Sequence, residues 1–288
     1  MQCFANARSA DSPRKLSQRA EDSTLLPSSS GNSTMIQPPS FVVVLTATIT
    51  PLKSAQIART NPDDRKRDYM TGFRFWIQNR DPRLSRILFV ENSGASLQDF
   101  RQEAESAADK DIEFVSVPPI SLPPRLHYGY AEMQMLDYAL SRSRHRSMTT
   151  HMIKATGRLR FPKISALLDR LPSEFDIAVD TCQALPFGLR PQAFVPTQLF
   201  LASHNFYGMS LQASYHDLRP DYPFYIEHLI YERLKTMPDT PRILTRWPIS
   251  VEPIGVAGYS GKRYDRLSRR VLTTLRAVLR KPIPDFWL

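Results

Sequence analysis

Short runs of consecutive apolar residues, separated by segments with helical periodicity, constrain the fold of this chain more than any other feature of its sequence. Phe41-Val-Val-Val-Leu-Thr46 and Arg86-Ile-Leu-Phe-Val90 have strand length and show no alternation of polar and apolar residues. A strand without alternation is buried on both faces, as in parallel sheets that helices cover. The two runs therefore predict an α/β domain with a central, mostly parallel sheet.

The other predicted elements continue this alternation of strands and helices. Asn61-Pro62 supplies a cap and a first-turn residue for a helix over Asp63–Gln78. Further helices are predicted over Leu97–Ala108, Tyr130–Ser143, Phe224–Lys235 and Arg263–Arg280, and further strands over Ile112–Val117, up to Lys154, over Phe175–Val179 and over Thr197–Ala202. This order predicts a Rossmann-like sheet flanked by helices.

Three segments are predicted along the chain. Residues 1–39 are rich in Ser and Pro and lack apolar periodicity, which is typical of a disordered leader. Residues 40–262 form the α/β domain, and residues 263–288 form a basic amphipathic helix and tail. The two cysteines, Cys3 and Cys182, lie far apart and imply no disulfide framework. Without an apolar run of roughly 20 residues or a secretory signal, we expect a cytoplasmic protein.

The net charge of +10 is concentrated towards the C-terminus, where residues 242–288 carry ten Lys and Arg against three Asp and Glu. Such a segment suits an anionic membrane surface or a nucleic acid. Aromatic residues that would stack on bases are sparse there, so no nucleic-acid partner is expected.

Several enzyme classes are disfavoured by missing motifs. No glycine follows the first strand in Thr46–Pro51, as a dinucleotide-binding turn requires, and this absence also weakens a methyltransferase interpretation. A Walker A lysine motif, a G-x-S-x-G elbow and an HExxH zinc motif are likewise absent from the sequence.

Polar residues follow three of the predicted strands, in Thr46-Ala-Thr48, Glu91-Asn-Ser93 and Lys154-Ala-Thr-Gly-Arg158. In open parallel sheets, ligands bind at the carboxyl ends of strands, so these segments are expected to line one crevice. Gly157 allows close approach, and Lys154 and Arg158 supply charge for a phosphate group. The alternative is a solvated turn with ordinary surface charge.

Segments from one end of the predicted domain to the other share a family pattern. They are Phe41–Thr46, Phe89-Val-Glu-Asn-Ser93, Gly129-Tyr-Ala-Glu-Met133, Ile153-Lys-Ala-Thr-Gly-Arg158, Thr197-Gln-Leu-Phe200, Tyr225-Ile-Glu-His228 and Gly255–Gly261. Together they resemble bacterial glycosyltransferases of the A-type (GT-A-like) fold. Enzymes of capsule, O-antigen and exopolysaccharide assembly that carry a Lys-x-Thr-Gly-Arg segment are the most similar.

The resemblance implies transfer of a sugar from a nucleotide-sugar donor to a hydroxyl of a saccharide or lipid-linked acceptor. It implies donor binding by Thr46, Glu91, Asn92, Lys154, Gly157, Arg158 and Asp180. In this set Thr46 and Glu91 would hold the nucleoside, and Lys154 and Arg158 would face the diphosphate. The alternatives are a solvated strand-end carboxylate for Glu91 and structural salt bridges for the two cations.

One departure from the family concerns its divalent cation, Mn²⁺ or Mg²⁺, which an Asp-x-Asp pair usually binds. This chain has Asp176-Ile-Ala-Val-Asp180 instead. Carboxylates four residues apart on a strand are separated by roughly 13 Å, too far for one ion. Asp180 alone is the candidate ligand, or Lys154 and Arg158 replace the metal, and metal dependence stays open.

Inverting transfer needs a base for the proton of the acceptor hydroxyl. Glu227 is our candidate, at the start of an amphipathic helix, with Asp221 as the second choice. The alternative for Glu227 is that it only complements the helix dipole.

The C-terminal helix is predicted to pack its apolar side on the domain and to expose a basic face. That face would also suit peripheral binding to anionic lipid on the inner membrane. Other nucleotide-dependent or methyl transferases are the alternative function, and a nucleic-acid-binding module is the third.

Overall fold

The apolar run at Phe41 forms an interior strand of a seven-stranded sheet in the computed structural model. The structure describes residues 38–51, 57–182, 193–221, 225–240 and 242–266, together with residues 271, 274, 275, 278 and 279. Nearly all of the predicted leader and much of the predicted C-terminal helix lie outside these residues. The predicted α/β class, a mostly parallel sheet flanked by helices, is confirmed.

The sheet has the strand order β3-β2-β1-β4-β6-β5-β7 within the described part of the chain. The strands are β1 Phe41–Ala47, β2 Arg86–Glu91, β3 Asp111–Ser116, β4 His151–Thr156, β5 Ile177–Ala178, β6 Leu199–Ser203 and β7 Ile243–Leu244. Strands β1 to β4 pair in parallel, whereas β6 runs antiparallel to β4 and β5. The chain leaves β3 and crosses to the far side of β1, so the switch point lies between β1 and β4.

Helices cover both faces of the sheet. They are α1 Pro62–Ile77, α2 Gln98–Ala104, α3 Gly129–Arg142, α4 His145–Met148, α5 Ile164–Leu168, α6 His204–Phe206 and α7 Ile226–Lys235. Apolar side chains of α1, α2 and α5 form one core with one face of the sheet, and those of α3 and α7 form a second core with the other. Because both faces are buried, β1 needs no polar alternation.

Most predicted elements begin or end within two residues of the observed bounds. Asn61 caps α1 as expected, since its side chain accepts from the amides of Asp63 and Asp64 at 2.9 and 3.1 Å. Helix α2 ends four residues early at Ala104, where Ser106 donates to the carbonyl of Glu103 and tightens the chain into a turn.

The second half of the sheet differs more from expectation. Strand β5 keeps only two of the five predicted residues, and Asp176 before it forms a surface ion pair with Arg242. Strand β7 was not predicted. At the C-terminus, Val271, Leu275 and Val278 are 69, 46 and 64% exposed, so the prediction that these positions pack on the domain is wrong.

Two glycines join α1 to the turn after β4. A Cβ on Gly72 would lie 2.1 Å from the carbonyl oxygen of Gly157, and a Cβ on Gly157 would lie 3.0 Å from the carbonyl oxygen of Thr46. The amide of Gly157 also donates to Thr46 at 2.9 Å. Close contact between these backbones therefore requires glycine at both positions.

Candidate functional site

A cavity of about 900 Å³ opens at the carboxyl ends of β1, β2 and β4, next to the switch point. Threonine, arginine and aromatic side chains from both halves of the sheet line it. Of the predicted site residues, Thr46, Asn92, Arg158, Asp180 and Glu227 contribute to its lining. The cavity therefore lies where the sequence predicts that the ends of these three strands line one crevice.

Two arginines and a tyrosine form one side of the cavity, here called the arginine wall (Arg65, Tyr69 and Arg158). The Tyr69 hydroxyl accepts from Arg65 Nη2 at 3.1 Å and from Arg158 Nη1 at 3.4 Å. Arg65 is buried, and its other hydrogen bonds go to backbone carbonyls. Neither guanidinium has a carboxylate partner in a salt bridge among the described residues.

The charges of the arginine wall influence each other. Burial lowers the pKa of Arg65, and the positive charge of Arg158 lowers it further. Arg158 Nε donates to the carbonyl of Val256 at 3.1 Å, which fixes the side chain, while its Nη2 has no hydrogen-bond partner among the described residues. Asp68 and Glu132 stabilise these cations through space, but neither forms a described salt bridge with them, and two neighbouring cations of this kind favour an anionic ligand.

Lys154 lies behind the cavity wall. Its ammonium is fully buried and donates to Glu132 Oε1 and to the carbonyl of Thr197, both at 2.6 Å. Glu132 Oε1 also accepts from Thr46 Oγ1 at 3.0 Å. Burial opposes ionisation of Glu132, but Lys154 and Thr46 hold its pKa below the usual range. These contacts correspond to the salt-bridge alternative considered for Lys154.

Glu91 is also engaged with the protein. Its buried carboxylate accepts from the amides of Ile49, Ser93 and Ala95 at 3.1, 2.9 and 3.2 Å, and from the Ser93 hydroxyl. It thereby holds together the two loops that follow β1 and β2. Asn92, beside it, does reach the cavity, and its Oδ1 accepts from Thr48 Oγ1 at 2.7 Å.

The opposite side of the cavity is formed by the segment before β6 and the first turn of α7, here called the glutamate wall (Pro196, Thr197 and Glu227). Thr197 Oγ1 donates to Glu227 Oε1 at 3.2 Å. Glu227 Oε2 is buried and has no hydrogen-bond partner among the described residues. Burial, together with the negative charge of Glu132, raises the pKa of Glu227 to about 7.

The second candidate base, Asp221, lies elsewhere. Its side chain is exposed and does not contribute to the described lining of the cavity. Residues 222–224, where the helix was predicted to begin, lie outside the described residues, and α7 is described from Ile226. Glu227 is therefore the better placed of the two carboxylates.

Asp180 is buried at the cavity, and its Oδ1 accepts from the amide of Trp247 at 3.4 Å. Among the described residues, no group of three or more His, Cys, Asp or Glu is arranged to hold a metal ion. The described side chains therefore do not make a complete metal site on their own. Asp180 is still the carboxylate that was predicted for this role.

Sequence reasoning did not propose Arg65, Tyr69, Glu132 or Thr197 as site residues. Arg65 and Tyr69 are four residues apart on α1 and share its buried face with Phe73 and Trp76. An arginine within an apolar helical stripe is a visible signal, because a buried cation needs a partner or a ligand. Glu132 and Thr197, the partners of Lys154, carry no such signal, because they lie 22 and 43 residues away from it in the sequence.

Comparisons with known proteins give a likeness of fold alone. No protein-family model matches the chain, and no curated protein matches it in sequence. Among solved structures it is similar to a mannosyltransferase from Pyrobaculum calidifontis in complex with GDP-Man and Mn²⁺, at 11% identity and a TM-score of 0.45 over 87% of this chain. The match spans 66% of that protein, just under two thirds of its length.

Two further structures have a similar chain course. The inositol-1-phosphate CTP transferase from T. maritima is 11% identical, with a TM-score of 0.41 over 85% of this chain and 97% of that one. The 4-diphosphocytidyl-2C-methyl-D-erythritol synthase from Anaerococcus prevotii is 8% identical, with a TM-score of 0.37 over 65% and 78%.

Proposed function

We propose that this protein is a glycosyltransferase that moves a sugar from a nucleotide-sugar to an acceptor hydroxyl. One observation carries the proposal: the arginine wall and Glu227 line the same cavity. The reaction has two electrostatic requirements, a cation for the departing diphosphate and a base for the acceptor proton. The arginine wall supplies the cation, and Glu227 on the opposite side of the cavity supplies the base.

The donor is assigned to the side of the cavity formed by the ends of β1, β2 and β4. Arg158 and Arg65 face the diphosphate, where negative charge grows as the bond to the sugar breaks. Thr48, Asn92 and Ser93, which line the same part of the cavity, contact the nucleoside. Glu91 and Lys154 support this side from behind.

The acceptor is assigned to the glutamate wall. A carboxylate with a pKa of about 7 is partly ionised at neutral pH and takes a proton more readily than an ordinary glutamate. Glu227 Oε2, which has no described partner, accepts the proton of the attacking hydroxyl.

A nucleotidyltransferase is the second candidate, because it would use the same arginine wall for a triphosphate. The two functions differ in their products. Incubation of a panel of nucleotide-sugars and nucleoside triphosphates with candidate acceptors (saccharides, lipid-linked saccharides and sugar phosphates), followed by product separation, should give nucleoside diphosphate and a glycosylated acceptor. Release of pyrophosphate would establish the nucleotidyltransferase instead.

The binding step can be tested before any acceptor is known. A nucleotide or nucleotide-sugar that binds the folded protein raises its melting temperature by mass action. We expect stabilisation by at least one nucleotide-sugar, reduced in Arg158→Ala. Failure of every nucleotide to stabilise the wild-type protein at millimolar concentration would contradict both transferase functions.

A divalent cation, Mn²⁺ or Mg²⁺, is compatible with the proposal through Asp180 together with the donor phosphates. When bound, such an ion neutralises charge on the diphosphate. Since Arg65 and Arg158 already supply positive charge there, we expect activity to survive excess chelator in part. Complete loss with chelator, restored by Mn²⁺, would show that the cation is essential.

Acceptor delivery at an anionic membrane, as in synthesis of bacterial surface polysaccharide, is the finer part of the proposal. Val271, Leu275 and Val278 stand at positions i, i+4 and i+7 and are exposed, and the surrounding sequence is strongly basic. An exposed apolar stripe in a segment whose sequence is rich in arginine matches the surface of an anionic bilayer. No helix in the described part of the chain has the length and apolarity to cross a bilayer.

Vesicle sedimentation tests this contact. Vesicles with phosphatidylglycerol should retain the protein, and pure phosphatidylcholine vesicles should not. Leu275→Ser should weaken retention, whereas equal retention on both vesicle types or by neither would contradict the proposal.

A further inference from the structure

A continuous chain of hydrogen bonds runs from β1 to Glu227. Thr46 donates to Glu132, Lys154 donates to Glu132 and to the Thr197 carbonyl, and the Thr197 hydroxyl donates to Glu227. Thr197 is 4% exposed and Lys154 is 0% exposed. The residue between the ion pair and the candidate base is therefore bound through both its carbonyl and its hydroxyl.

This arrangement orients the Glu227 carboxylate. Thr197 occupies one carboxylate oxygen, Oε1, and leaves Oε2 without a described partner on a side chain that lines the cavity. The backbone of the segment is tied to α7 as well, because the amide of Val195 donates to the Glu227 carbonyl at 3.0 Å. Rotation of the carboxylate would break the Thr197 bond.

We propose that Thr197 is a positioning residue for Glu227, anchored by the Lys154–Glu132 ion pair, and that this assembly aims Oε2 at the acceptor hydroxyl. The inference rests on the proposed function of Glu227 as the base. It gives the ion pair, in which Lys154 is fully buried and Glu132 is partly exposed at the cavity, a role in orienting the base.

The charged and titratable groups that face Glu227 come from three places. Glu132 and Tyr128 come from α3 and the residue before it, and Lys154 comes from β4. The Thr197 hydrogen bond and the Lys154 charge favour the ionised carboxylate, whereas the Glu132 charge opposes it. Removing the Thr197 hydroxyl should therefore raise the pKa of Glu227, and removing the Glu132 charge should lower it.

The first experiment replaces the threonine. Thr197→Val keeps the shape and loses the hydroxyl, and Thr197→Ser keeps the hydroxyl. With Val we expect kcat at pH 7 to fall about tenfold, the usual effect of one hydrogen bond to a charged group, with little change in donor binding. Ser should restore kcat to within about twofold. Thr71→Val, an exposed threonine on α1, is the matched control.

The second experiment does not depend on activity. A ¹³C NMR titration of glutamate-labelled protein, with the Glu227 signal assigned by its loss in Glu227→Gln, follows that carboxyl directly. Its midpoint should move up in Thr197→Val and down in Glu132→Gln. Unchanged midpoints in both variants, or failure of Ser to rescue kcat, would overturn the inference.

The two experiments separate the inference from the function. If the wild-type protein transfers no sugar from any donor, the proposed function fails, yet opposite NMR shifts would still support the link between Thr197 and Glu227. If transfer occurs and the midpoints do not move, the positioning role fails alone.

Discussion

Two glutamates at the same edge of the sheet, Glu91 and Glu227, differ in how completely hydrogen bonds from the protein satisfy their carboxylates. Glu91 receives three backbone amides and a hydroxyl, whereas Glu227 receives one threonine hydroxyl and has an oxygen without a described partner. A saturated carboxylate stabilises the loops that it joins. An under-satisfied carboxylate destabilises the fold and is available to a ligand, so the contrast separates structural support from chemistry.

The largest expected effect tests the chemical side of this contrast. Glu227→Gln should lower kcat by about two to four orders of magnitude, because the amide cannot accept the proton. Wild-type kcat should rise with pH through about 7, as the carboxylate ionises, and the variant should lose this rise. Steady-state kinetics at pH 6 to 8 measure both. A similar loss in Asp221→Asn, with normal turnover in Glu227→Gln, would move the base to Asp221.

The next effect concerns the arginine wall. Arg158→Ala should raise the barrier in kcat/KM by about 2–4 kcal/mol, since it removes a cation from the charge that develops on the leaving group. Arg170→Ala, an exposed arginine that donates to the carbonyl of Ala166, is the matched control. Turnover in Arg158→Ala that equals the control would exclude a role in transfer.

Glu91→Gln should lower the free energy of unfolding by about 1–3 kcal/mol, because an amide NH₂ would face backbone N–H groups that now donate to the carboxylate. Urea unfolding measures this change. Unaltered stability combined with weak donor binding would instead support the expectation from sequence that Glu91 contacts the nucleoside.

The smallest expected effect is on stability and concerns Glu227→Gln. Unlike Glu91→Gln, this substitution should raise the free energy of unfolding. Below pH 4.5 Glu227 is neutral in both folded and unfolded chains, and the stabilising effect of its raised pKa is complete. This stabilisation is lost as the pH rises to about 7, because the carboxylate then ionises at a cost in the folded protein. At pH 8 Glu227→Gln should therefore be more stable than wild type by about 1 kcal/mol. This difference is smaller than the full pKa shift would give, because the side chain is partly exposed to solvent. Thermal unfolding of both proteins at pH 4 and pH 8 measures this difference in stability. The same difference at both pH values would show that the fold does not disfavour the ionised form of Glu227.

Apolar patterning was sufficient to predict the first half of the sheet. Strands β1, β2 and β3 and helices α1 and α3 follow from runs and periodicity, because helices bury both faces of those strands. The second half could not be predicted in the same way. Strand direction leaves no periodic signal, so the antiparallel course of β6 was not predicted, and β7 has only two residues.

The site was predictable to the level of strand ends but not of side-chain partners. Thr46, Asn92, Arg158 and Asp180 reach the cavity as strand-end residues should. The inward position of Lys154 depends on Glu132, 22 residues earlier on another element. Such distant partners decide that Lys154, inside β4, is buried, whereas Arg158, two residues after the strand, reaches the cavity.

The antiparallel course of β6 has a consequence for where the two sides of the cavity are encoded along the chain. Because β6 starts at the edge of the sheet where the cavity lies, the residues just before this strand line the cavity. All residues of the arginine wall therefore lie before residue 160, and all those of the glutamate wall lie after residue 193. Recombination downstream of α5 would thus replace the glutamate wall together with Asp180 and keep the arginine wall. Such an exchange has to retain Ile254-Gly-Val256, because that segment pairs with Arg160 and binds the guanidinium of Arg158.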